Sequence, residues 1–305
     1  MTILMIRPVR FGYNAQTAVN NAFQSVPGQE DPMHIQQAAL NAFDELVEAL
    51  RDKEIDVLVV SDTVEPHTPD SIFPNNWISF HEDGTLVLYP MFAENRRLER
   101  KAGVLDQIHK AFSVRKVIDY TAEEETGRFL EGTGSMVLDR TQRIAYACRS
   151  PRTDEGLLHK CCSELGYRPV VFDAYDTHGT PVYHTNVMMT IADRYTVICL
   201  ECVSAADRPG LVQTLEKSGK TIVPITMQQM AAYAGNLLQV ESREGARYLV
   251  LSSQAFDAFD ESEQALLETF NPIIHVPLDT IERYGGGSAR CMMAEVFLPL
   301  RSEST

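Results

Sequence analysis

The stretch Asn186-Val187-Met188-Met189-Thr190-Ile191-Ala192-Asp193-Arg194-Tyr195-Thr196-Val197-Ile198-Cys199-Leu200 sets the fold class, because it reads as two apolar strands joined by a short polar turn. The pattern recurs along the chain. Residues 77–80 precede 85–89 across Glu82-Asp83-Gly84, residues 135–138 precede 143–146, and residues 236–240 precede 247–251. The turn residues tolerate the tight geometry of a hairpin. A fifth apolar run, 291–298, is placed to pair with an N-terminal strand at residues 2–7. With Asn76, Ser135, Asn186, Asn236 and Cys291 as landmarks the unit returns every 50 to 59 residues, which is the mark of an internal repeat.

Helices separate the hairpins. Asp31-Pro32 puts a capping side chain before a proline at the first helical position, and Ile35, Ala39, Phe43, Leu46, Val47 and Leu50 then recur at helical spacing. Similar patterns cover about 97–112, 154–165, 208–217 and 261–270, followed by strands such as Val170-Val171-Phe172 and Ile273-Ile274-His275-Val276. Five ββαβ units of this kind are expected to close into a ring, a single α/β domain over residues 1–305. Its corners would point at a central channel where residues distant in sequence meet.

Composition narrows the function. With 44% hydrophobic residues in 305, the chain can bury about 75% of its unfolded surface. The net charge of −15, from 27 Lys+Arg against 42 Asp+Glu, repels phosphate backbones and anionic lipid, so nucleic acid and membrane are not expected partners. Six cysteines show no disulfide-scaffold spacing, and the apolar run before Arg7 is too short for a signal peptide or a membrane span. These features suit a reduced, cytoplasmic protein. Cys199-x-x-Cys202 lies at the end of a strand with no second Cys/His pair at zinc-finger spacing, so it reads as buried structure rather than a metal site.

Three corners carry reactive groups: Leu130-Glu131-Gly132-Thr133-Gly134 a carboxylate, Tyr183-His184-Thr185-Asn186 an imidazole, and Gly285-Gly286-Gly287-Ser288-Ala289-Arg290-Cys291 a thiol. Glycine allows close backbone approach to a ligand, a neighbouring imidazolium can stabilise a thiolate, and a carboxylate can orient the proton carrier or bind a substrate N–H. Taken singly, Glu131 reads as a solvated charge, His184 as a core histidine and Cys291 as packing. Their shared place at the repeat corners favours catalysis.

On these residues the chain resembles the pentein, or guanidino-group-modifying, superfamily, which includes arginine deiminase, dimethylarginine dimethylaminohydrolase, agmatine deiminase and glycine amidinotransferase. The resemblance covers nearly the whole chain and implies a five-bladed α/β propeller. It further implies that Cys291 is the nucleophile, His184 the general acid/base and Glu131 the ligand of a substrate nitrogen. Pro69-Asp70-Ser71-Ile72-Phe73-Pro74-Asn75-Asn76-Trp77 resembles the dimethylarginine enzyme's first-module segment, which implies that Asp70 contacts substrate. Asn95-Arg96-Arg97 and Arg152-Thr153 resemble segments that make Arg96 and Arg152 candidates to grip an α-carboxylate through forked hydrogen bonds. No metal or organic cofactor is implied, and family habit suggests a homodimer.

The departures from the family pattern concern charge. Asn75-Asn76 stand where the dimethylarginine enzyme has Glu-Asp, Asn186 where arginine deiminase has the aspartate of His-x-Asp, and Gly134-Ser135 where the second module has an aspartate. An amide offers both donor and acceptor and suits a neutral ureido group, whereas burying a guanidinium without carboxylates is costly. The sequence therefore leads to a cysteine-dependent hydrolase of a small amino acid, with citrulline, cleaved to ornithine, ammonia and carbon dioxide, as first candidate. Asp70, Arg96 and Arg152 would hold the amino-acid end, and Asn75, Asn76, Asn186 and Glu131 the terminal group. The alternatives are an arginine or methylarginine deiminase-type hydrolase, an amidinotransferase, and a non-catalytic binding protein of the same fold. A papain-like protease is excluded because its cysteine opens a helix near the N-terminus.

Overall fold

The computed structural model describes residues 1–301. Strands β1 (Thr2–Arg7) and β2 (Asp56–Ser61) share one sheet. A second holds β3 (Ile78–Phe80), β4 (Thr85–Leu88) and β5 (Lys116–Asp119), and a third β6 (Val137–Asp139), β7 (Ile144–Cys148) and β8 (Arg168–Phe172). The fourth is built of β9 (Met189–Ile191), β10 (Tyr195–Ile198) and β11 (Thr221–Pro224), the fifth of β12 (Leu238–Glu241), β13 (Arg247–Ser252) and β14 (Ile273–Val276). Finally β15 (Ala294–Val296) returns to the first sheet and pairs antiparallel with β1, Thr2 opposite Val296. Every sheet thus has three strands, the middle one antiparallel to its hairpin partner and parallel to the strand beyond a helix.

The parallel pairs require crossovers, and the five helices Pro32–Arg51, Ala102–Ala111, Glu155–Leu165, Arg208–Lys217 and Glu261–Phe270 supply them. Asp31 caps the first by accepting from the Met33 amide, and its face of Ile35, Ala39, Phe43, Leu46, Val47 and Leu50 packs with Ile3, Met5, Ile274 and Val276. Each such fully buried aliphatic or aromatic side chain stabilises the seat by about 1.5–3 kcal/mol. The continuous helix expected over 97–112 is instead two pieces, Glu94–Arg97 and Ala102–Ala111. The chain breaks there because Arg96 and Glu99 turn inward as a buried pair and Lys101 reaches Asp62. No described helix is long and apolar enough to cross a membrane.

The landmark residues lie in turns that lead into the inner strands, rather than in the strands themselves. Pro74–Asn76, Thr185–Val187 and Ala289–Met292 are 3₁₀ turns, and Gly132–Ser135 is a single helical turn. The Gly132–Ser135 turn packs on both Pro74–Asn76 and Thr185–Val187, while Ala289–Met292 packs on Pro74–Asn76. Asn236 completes the set, donating to the Asn186 carbonyl and accepting from the Arg290 amide. The corners of all five repeats therefore meet, and the space among them is small.

Gly235 measures how tight this meeting is. A Cβ there would fall 2.5 Å from the Val187 carbonyl oxygen and 2.8 Å from the Met188 carbonyl carbon, both backbone. Gly235→Ala is expected to lower the unfolding free energy by about 1–3 kcal/mol through overpacking. Gly210→Ala, in an exposed helix with nothing within 4 Å of the new carbon, is expected to raise it by about 0.5–1 kcal/mol. Urea unfolding of the two variants beside the parent measures both, and equal midpoints would contradict the close approach at Gly235.

Candidate active site

Cys291 sits in the Ala289–Met292 turn, buried at 3% exposure. Its Sγ receives the side-chain amide of Asn236 at 3.3 Å and that of Asn186 at 3.5 Å. Asn236 is held in turn by its bonds to Asn186 O at 2.8 Å and Arg290 N at 3.1 Å. Tyr233, whose carbonyl accepts from the Asn236 amide, takes a left-handed φ of 64° to set this corner, a conformation that is uncommon for a bulky residue. The thiol's hydrogen-bond partners are thus two neutral amides. The imidazolium expected beside it from the sequence is absent from that shell.

His184 opens the Thr185–Val187 turn and points Nε2 at Glu131 Oε2, 2.7 Å away. Both are buried, and Glu131 also accepts from the Phe92 amide at 2.9 Å and faces Arg152 Nη1 at 3.4 Å. Burial works to raise the Glu131 carboxyl, but the Arg152 charge and the His184 bond outweigh it and hold it below the usual carboxylate range. Burial drives His184 down to about 4 although Glu131 pulls the other way. At neutral pH the pair is therefore a carboxylate and a neutral imidazole whose proton lies on Nε2, which leaves Nδ1 as an open acceptor. Gly134 borders that nitrogen. A Cβ on Gly134 would lie 2.8 Å from His184 Nδ1 and 2.4 Å from Asn76 Nδ2, so an aspartate at this corner has no space.

The two arginines are buried and occupied. Arg96 donates through Nε and Nη2 to Glu99 at 2.8 and 3.0 Å, through Nη1 to Asn76 Oδ1 at 2.7 Å, and through Nη2 to the Phe73 carbonyl at 3.1 Å. Arg152 donates to Asn20 Oδ1 and to the Thr17 carbonyl, and its guanidinium lies 4.9 Å from the Tyr183 ring centre. The free carboxylate-gripping forks expected of this pair are engaged within the protein, because a buried guanidinium left unpaired would be costly. Asp70 Oδ2 takes bonds from Asn14 and Thr17, while Oδ1 has none; burial raises its carboxyl although Arg96 stands 3.9 Å away. Asn75 turns its amide to Thr133 Oγ1 at 3.3 Å.

Asp70, Asn76, Arg96, Arg152, His184 and Cys291 line one narrow cavity with Thr17, Asn21 and the Gly285–Gly287 run, its volume about 10 Å³, close to the least a single water needs. Glu131 stands behind His184, Asn186 behind the thiol, and Asn75 away from the cavity wall. Asn76 Nδ2 is buried without a hydrogen-bond partner. Asn236 was not among the candidates from sequence, although it occupies the same landmark position as Asn76 and Asn186, and that equivalence was the signal available. Thr17, Asn20 and Asn21 have no counterpart in the repeat and gave none.

Residues 7–298 match the family described as N,N dimethylarginine dimethylhydrolase, eukaryotic. No curated protein matches the sequence. Among solved structures, the N-terminal domain of ArgZ, an arginine dihydrolase from the ornithine-ammonia cycle in cyanobacteria, superposes with TM-score 0.77 at 16% identity over 98% of this chain and 98% of that one. The chain spans 41% of the longer ArgZ chain. AgrE, solved as a binary complex with L-arginine, gives 0.74 at 17% identity over 99% of this chain and 41% of that one. A dimethylarginine dimethylaminohydrolase adduct with S-methyl-L-thiocitrulline gives 0.64 at 16% over 96% and 98%. At such identities these structures share the fold. The match over 7–298 goes further, and the chain belongs to the dimethylarginine dimethylhydrolase family, within the pentein superfamily of arginine-modifying hydrolases.

Proposed function

We propose that the protein hydrolyses a C–N bond in the guanidino group of a small amino acid, with arginine or a methylarginine as the substrates that fit best. The observation that carries this reading is the convergence of a buried thiol, an imidazole with an open nitrogen and an unpartnered carboxylate oxygen, Asp70 Oδ1, on one cavity. A guanidinium is rich in donors and has no acceptor, so Asp70 supplies what it needs. The arginine-handling relatives and the family match support the same class, against the citrulline preference drawn from the sequence. The five sheets are read as blades of a five-bladed propeller that forms one catalytic domain.

In this scheme His184 Nδ1 takes the Cys291 proton as Sγ attacks the central guanidino carbon. The proton passes to the departing nitrogen, the C–N bond breaks and a thiouronium remains on Cys291. Water, deprotonated by His184, then attacks that carbon and releases the thiolate. Asn186 and Asn236 steady the thiolate by donating to it, and Glu131 keeps His184 in the tautomer with Nδ1 open. An amino acid exceeds the space of the cavity, so the Thr17–Asn21 stretch moves aside and its bonds to Asp70 and Arg152 pass to the substrate. A groove of about 780 Å³ shares Asn21 and Tyr183 with the cavity and offers the route.

A second reading has its own observation. Asn76 Nδ2 is a buried donor without a partner on the cavity wall, and a donor there suits a ureido oxygen, which a guanidinium lacks. Turnover of a ureido amino acid, alone or after deimination of the guanidino one, fits that feature.

Arginine, Nω-methylarginine and citrulline, each incubated with purified protein, separate these readings by products. Citrulline and ammonia or methylamine from the first two support the guanidino reading; ornithine from citrulline supports the ureido one, and no product from any of them overturns both. Cys291→Ala is expected to lower turnover by about 10⁴-fold or more. The resting base is tested separately by NMR of labelled histidine. With burial holding His184 at about 4, its ring is expected to remain neutral from pH 8 to 5.5. Protonation midway through that range would remove the proposed base.

A further inference from the structure

Six carboxylates are buried among the described residues, and five have a cation within reach. Asp62 meets Lys101, Asp70 and Glu99 share Arg96, Glu131 meets Arg152, and Asp139 meets Lys220. Glu282, at 2% exposure, has none. Its neighbour Arg283 points outward to Glu30. An unpaired buried carboxylate is costly, so its place needs a reason.

The geometry supplies one. Glu282 lies in the helix Asp279–Gly285, which runs directly into the glycine stretch before the thiol. Its Oε1 accepts from Ser288 Oγ at 2.5 Å, and the Ser288 carbonyl accepts from the Cys291 amide at 2.9 Å. Ser288 begins the Ala289–Met292 turn yet makes no side-chain cap to it, although serine is a favoured capping residue; its hydroxyl is committed to Glu282 instead. The Glu282 carbonyl accepts from Gly286 N and from Tyr233 Oη, both at 3.0 Å. Tyr233 also sets the corner that brings Asn236 to the thiol.

We propose that Glu282 is a positioning residue for the nucleophile, its carboxylate fixing Cys291 through Ser288 while its backbone carbonyl ties the same helix to Tyr233. The inference rests on Cys291 being the nucleophile and adds a residue outside the cavity that governs where its sulfur sits. Burial raises the Glu282 carboxyl to about 7, with Asp279 adding to the rise and Ser252 and Ser288 opposing it. The titratable groups around it are Asp279 on its own helix and Tyr233 across from it. Ionised, it accepts a charge-assisted hydrogen bond from Ser288. Protonated, it loses that strength, so the hold on the turn weakens as pH falls through neutrality.

The test uses the full chain and the variants Ser288→Ala, Glu282→Ala and Glu282→Gln. For the substrate that wild type turns over, Ser288→Ala and Glu282→Ala are expected to lower kcat by about ten- to a hundredfold, the scale of an ångström-level misplacement, with KM changed less than about threefold. Glu282→Gln, which keeps an acceptor for Ser288, is expected to recover most of the lost kcat and to lack the wild-type inflection near pH 7. A substrate-free measurement runs beside it: iodoacetamide labelling of Cys291, followed by peptide mass spectrometry with Cys291→Ala as blank. Labelling that changes at least about fivefold in Ser288→Ala, with the other five cysteines and circular dichroism unchanged, supports the proposal whether or not a substrate has been found. Labelling of Cys291 unchanged in both Ser288→Ala and Glu282→Ala overturns it, as does an inflection near pH 7 that survives in Glu282→Gln. Loss of substrate turnover in wild type alone would count against the proposed reaction and leave the labelling result to decide this inference.

Discussion

A negative charge on Glu131, shielded fully from solvent, is the constraint from which the rest of the site follows. Taking an ion out of water costs several kcal/mol even after relaxation, and here Arg152, His184 and the Phe92 amide together offset that cost. Each partner is fixed as a result. His184 must present N–H to Glu131, and its ring is held there on the wall of the thiol's cavity. Arg152 must stay within reach of the same carboxylate, and its remaining donors then draw Thr17 and Asn20 down over the site. The covering of the cavity is in this sense a consequence of one buried charge.

Against this charged half, the half around the thiol is neutral. Asn186 and Asn236 occupy equivalent positions in successive repeats and meet at one sulfur atom. An amide gives a thiolate a hydrogen bond without a full opposing charge, and it also bonds the backbone around it, as Asn236 does at Asn186 and Arg290. The same position in the first repeat, Asn76, binds Arg96 and keeps a spare donor. One repeat position thus holds the thiol, the amides that donate to it and an amide with a spare donor, according to which repeat carries it.

The repeat was legible because hairpins and crossover helices depend on local pattern. The alternation around Asn186–Leu200, the capped apolar face from Asp31 to Leu50 and the spacing of the landmarks all reflect forces within a few turns of chain. The three corner groups, Glu131, His184 and Cys291, could be named for the same reason. What the pattern could not hold was the pairing of charges across long separations. Glu99 gives no local sign that it will bury Arg96, nor does Asn20 that it will bond a residue 132 positions away. The partners that engage Arg96 and Arg152 within the protein were hidden in the same way, because burial, invisible in the sequence, demands that each donor be matched. Glu282 likewise gives no local sign that it will be buried without a cation.

The antiparallel pairing of β1 with β15 has a temporal meaning. A chain emerging from its N-terminus makes Thr2–Arg7 early, but that strand must wait for Ala294–Val296 before it has its hairpin partner. Cys291 lies just ahead of β15, in the turn whose position that pairing secures. Contacts of such separation close late, since most of the chain must first be ordered before their formation is favourable. A chain without either strand lacks the pairing that secures this turn. The corner that holds the thiol is therefore completed together with the fold and not ahead of it.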